Sequence, residues 1–188
     1  MKSSITAMIT QYLPKTQHQP RLLLKSNRSL VQLYTNYPCI TGLSADVCAG
    51  QFNQNAYGLT AVPHGNFVNF MPSPDFIQTQ IDAIAQTFHP AQEALPSADM
   101  RAYLHYVISV IAHEYPCDVA DAPYTPQETE LCIWILYLSE QSENHRQKRK
   151  VEFITRLSAV LKTYIFSQIS QKQRQLLLAA ASMLTPQA

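Results

Sequence analysis

From Gln127 to Thr185 the chain contains neither proline nor glycine. Proline removes a backbone donor and breaks helices, and glycine destabilises their interiors. So long a stretch without either folds as helix, in one piece or as two or three helices joined by polar turns. Ser142-Glu143-Asn144 is the joint its composition favours. The stretch also has a defined beginning at Thr125-Pro126-Gln127-Glu128. Threonine caps, proline opens the first turn, and a glutamate three residues after the cap bonds back to it.

Leu131 to Leu138 are eight consecutive apolar residues, counting Cys132 and Tyr137, and include the only tryptophan, Trp134. At about 100° per residue they cover the whole circumference of a helix. A surface helix has no use for that, so this one is expected to be surrounded. It is too short for a membrane span, which takes about 20 apolar residues.

Glycine is confined to the other half. Gly42, Gly50, Gly58 and Gly65 are all four of the chain's glycines. The segment holding them is therefore irregular or β-like. Within it, Leu59–Val62 and Phe67–Met71 read as two strands around a turn at Pro63-His64-Gly65-Asn66. Phe67, Asn69 and Met71 then share one face, Val68 and Phe70 the other. Both faces carry apolar groups, so partial cover is expected on both. Upstream, the runs at 21–26 and 29–34 are too short to decide between strand and helix.

Further helices are expected from Ser73-Pro74-Asp75 to Phe88, with an Ile77, Ile81, Ile84 and Phe88 stripe, and from the Ser97/Asp99 cap to Tyr115. Val151, Ile154, Leu157, Leu161 and Ile165 mark the apolar side of a later one. The segments 90–99 and 116–126 read as loops. The fold expected is α+β and predominantly helical: a helical bundle-like core with a small antiparallel hairpin or sheet in the N-terminal third. It forms a single domain over 1–188, mixed over 1–72 and helical over 73–188.

The chain has 188 residues, a net charge of +1, and only 14% charged residues. That balance exerts no global pull toward nucleic acid or anionic lipid and opposes association weakly. The interrupted apolar run at the N-terminus reads as an amphipathic helix rather than a signal peptide, so a cytoplasmic protein is expected. Cys39, Cys48, Cys117 and Cys132 contain no CxxC pair and read as reduced thiols, with a Cys39–Cys48 bridge as the alternative for an exported protein.

Four groups of residues suggest chemistry. Cys48 ahead of a short helix, with His64 as base and Asn66 or Asn69 as orienting amide, fits a cysteine-dependent hydrolase. Arg146, Lys148, Arg149 and Lys150 form a basic run that grips phosphate or, more simply, closes a helix C-terminus among Glu140, Glu143 and Glu152. His105, Ser109 and His113 form a polar seam opposite Leu104, Val107, Ile108, Ile111 and Tyr115, too widely spaced for one metal. Glu114 projects toward that apolar arc but sits at the helix end, where it reaches solvent; buried instead, it becomes a candidate acid or base. Cys39, Cys48, His64 and Cys117 lack the close-spaced pairs of a metal site, and no GxGxxG or GxxxxGK[ST] loop is present. No metal and no cofactor are expected.

Finally, Leu176, Leu177, Met183 and Leu184 lie on a C-terminal helix with little polar surface. It serves as core or as an apolar face for another chain. The reading favoured is a non-catalytic interaction module, adaptor or chaperone-like accessory protein with a protein partner. The cysteine hydrolase and a nucleic-acid-binding regulator acting through 146–150 are the alternatives.

Overall fold

The computed structural model of the chain describes residues 5–11, 21–27, 30–54, 58–90, 99–165 and 168–185. Ser97 and most of the loop expected over 90–99 lie outside them. The fold is α+β and predominantly helical, and it divides into two compact units, Met1–Gln78 and Thr79–Ala188.

The first unit holds α1 (Ile5–Gln11), β1 (Leu22–Ser26), β2 (Val31–Thr35), α2 (Tyr37–Thr41), α3 (Ala45–Asn53), β3 (Leu59–His64) and β4 (Phe67–Pro72). The two undecided runs upstream are thus both strands. The strands form one antiparallel sheet in the order β1-β2-β4-β3. Leu22, Leu24, Leu33, Ala61, Val68 and Phe70 are buried on one face. α2 and α3 pack beside that buried side, where Tyr37, Phe52 and Phe70 meet edge to face at 5.2 and 5.6 Å.

The β3–β4 turn is two residues long, Gly65-Asn66. Gly65 has φ +58° and sits at the first central position, the place a II′ hairpin turn reserves for glycine. β3 runs two residues beyond the Val62 expected from sequence, taking in Pro63 and His64. Proline is tolerated there because β3 is an edge strand, and alternation from Ala61 points the position of its missing N–H away from β4. The outward backbone of Ala61 is occupied too. Asn53 Nδ2 donates to the Ala61 carbonyl at 2.9 Å, and Ala61 N–H donates to Asn53 Oδ1 at 2.7 Å. One amide side chain at the end of α3 thereby stands in for a neighbouring strand.

α4 (Pro74–Ala85) spans the boundary between the units and buries Ile77, Ile81 and Ile84. The second unit continues with α5 (Met100–Glu114), α6 (Pro126–Ser139), α7 (Glu143–Leu161) and α8 (Gln171–Leu184). α6 packs against both α7 and α8, and α8 also packs against α5. α6 begins with the expected capping box on Thr125 and Glu128. From Leu131 to Leu138 every residue is buried except Ile133, which is half-buried, and Trp134 has no exposed surface. The expected encirclement of this helix is observed.

Two expectations need correction. The joint does fall at Ser142, which caps α7, but the apolar side of α7 is Phe153, Leu157 and Val160, and Val151 is 70% exposed. The basic run is also not at a helix C-terminus of its own: Arg146 lies in the first turns of α7. It is buried seven residues ahead of Phe153, on the same inward side, and serves the preceding helix instead. Its Nε donates to the Leu138 carbonyl at 2.8 Å and its Nη2 to the Ser139 carbonyl at 3.4 Å. These are among the last carbonyls of α6, which have no partner within the helix.

Replacing Arg146 by methionine keeps the apolar stem, removes the side-chain donor from the Ser139 carbonyl and leaves the Leu138 carbonyl only the Gln141 N–H at 3.1 Å. Urea denaturation should show a loss of about 2–4 kcal/mol with the slope unchanged, and an unaltered midpoint would refute the capping role. For Asn53→Ala the expected outcome is faster amide hydrogen exchange at Ala61, with two hydrogen bonds lost at roughly 0.5–1.5 kcal/mol each.

Candidate functional site

Within the first unit, Cys48 is not ahead of a helix but inside α3, fully buried. Burial raises its thiol pKa, against a smaller lowering by the Thr41 side chain. A helix N-terminus was expected to activate this thiol. Its desolvation acts in the opposite direction and leaves it a small core hydrophobe. His64 lies exposed at the end of β3. The thiol that does reach the hairpin turn is Cys39, which is exposed and donates to the Asn66 carbonyl at 3.1 Å. All four cysteines are free, and among the described residues no cluster of metal-ligating side chains occurs.

The open face of the sheet is the feature that sequence reasoning missed. Alternation places Phe67, Asn69 and Met71 on one side as expected, but that side is not covered: Met71 is 57% exposed and Phe67 38%. The cross-strand register aligns Leu23, Tyr34, Asn69 and Val62 in one row over all four strands. Phe67 stands diagonal to Tyr34, the two rings edge to face at 5.5 Å. Lys25 and His64 share this face, and among the described strand residues no carboxylate does. The first unit has five basic residues against two acidic ones, Asp46 and Asp75, a net +3 hidden within a chain of net +1. The signal available in the sequence was this asymmetry together with the runs at 21–26 and 29–34, once paired as strands.

In the second unit the basic run disperses around α7. Arg146 points inward. Arg149 lies over the Trp134 ring at 4.9 Å and pairs with Glu152 at 2.9 Å. Only Lys148 and Lys150 reach solvent freely. Beside them, Tyr137 OH lies 2.6 Å from His145 Nε2. At the other end of α6, the buried Glu128 accepts a hydrogen bond from Tyr164 OH at 2.7 Å. Burial, then that bond, pushes the Tyr164 phenol up. These contacts join α6 to its neighbours.

The seam on α5 is turned partly inward. Ser109 is buried, its hydroxyl satisfied by the His105 carbonyl at 2.9 Å, which is what allows a polar residue there. His113 Nδ1 lies 2.8 Å from the Ser109 carbonyl. His105 stacks on Phe88 at 5.2 Å, and its buried Nε2 has no hydrogen-bond partner among the described residues. Glu114 is exposed rather than set into the apolar arc. On α8, Leu176, Leu177 and Leu184 are buried and Met183 is half-buried. The helix packs on α5 and α6.

Comparison with family models, curated proteins and solved structures gives no match to this chain.

Two measurements follow from this chemistry. Burial lowers the His105 pKa below its ordinary 6.5. A group whose folded pKa is depressed stabilises the fold above its unfolded value, and that contribution is lost as pH falls through the folded value. Stability by denaturant titration should therefore decline from about pH 6.5 downward, with a shallower decline in His105→Phe. For the thiols, alkylation at pH 7 should modify Cys39 in the native protein and reach Cys48 and Cys132 only after unfolding. Rapid native labelling of Cys48 would contradict its burial.

Proposed function

We propose that this protein is a non-catalytic binding module whose open sheet face holds single-stranded nucleic acid. One observation carries the reading: the exposed Phe67 and half-exposed Tyr34 stand together on a face without a carboxylate among its described residues, in a unit of net +3. Aromatic side chains on an antiparallel sheet offer stacking surfaces that suit any base, and cations beside them hold the phosphates. Lys25 and the exposed Arg21 supply those cations, and the Asn69 amide offers a donor and an acceptor to a base edge. This moves the nucleic-acid reading away from Arg146–Lys150, where half of the charge is occupied within the fold.

A protein partner is the second reading, and a specific observation favours it. Met100, Tyr103 and Tyr106 are exposed along α5, and no charged residue lies between Arg101 and Glu114 on that helix. This exposed stripe on α5 supports that reading.

Fluorescence anisotropy with a labelled mixed-sequence RNA of about ten nucleotides, within the span of such sites, tests the first reading. Each of Phe67→Ala and Tyr34→Ala should weaken binding roughly tenfold, the value of one lost base stack. With two phosphate contacts, log K should fall against log salt with a slope of roughly −1.4. Lys148→Glu with Lys150→Glu should leave the affinity unchanged. If those two abolish binding while Phe67→Ala does not, the site belongs on α7. If the wild-type protein binds no oligonucleotide at low salt, the nucleic-acid reading is wrong.

A further inference from the structure

We draw no further inference here: the strongest candidate, the exposed Met100, Tyr103 and Tyr106 stripe along α5, carries nothing because the structure does not show what covers it.

Discussion

A helix that is apolar on every side has to be enclosed, and enclosure brings a cost at its ends. Inside a protein the last carbonyls of a helix have neither an intrahelical partner nor water. At the end of α6 the Glu140 and Gln141 N–H groups close the Tyr137 and Leu138 carbonyls, and Arg146 reaches back from the next helix to Leu138 and Ser139. The opposite end is closed by the capping box on Thr125 and Glu128, and Glu128 uses its second oxygen to hold Tyr164. The two charged residues buried among this unit's described residues, Glu128 and Arg146, are therefore the terminal fittings of its most apolar helix. Arg149 completes the enclosure by covering Trp134 with a guanidinium.

The sheet of the first unit treats its surfaces unequally. Its outer edge at β3 is closed by Pro63 and by the Asn53 amide, two devices that spare backbone groups from pairing with another chain. The buried face is packed with leucine, valine and phenylalanine. The remaining face keeps Phe67, Met71 and Val62 in contact with water, although burying each would contribute roughly 1.5–3 kcal/mol. A surface protected at its edge yet apolar on its face has the character of a platform, and this is the physical argument behind the ligand proposed for it.

Much of the architecture was legible because it is written in local signals. Thr125-Pro126-Gln127-Glu128 declared a helix start, Ser142 a joint, and Gly65-Asn66 a turn. The interior of α6 followed from apolar density alone. The phase of α7 was not legible: Val151, Ile154 and Leu161 form a plausible stripe, and only tertiary contacts show that Phe153, Leu157 and Val160 point inward with Arg146. The runs around Leu23 and Tyr34 were equally opaque, because period alone does not separate short strands from short helices. That ambiguity hid the candidate site. Its residues come from four strands, and they share a face only once β2 is known to lie between β1 and β4. Cys48 misled for a related reason, since its activity depends on whether water reaches the sulfur, which no local motif records.

The placement of the single tryptophan has a practical side. Trp134 lies within α6, between residues 79 and 188, while the aromatic trio of the other unit is Tyr37, Phe52 and Phe70. Indole emission therefore reports on the surroundings of α6, and a second spectroscopic channel, strand ellipticity, reports directly on the sheet.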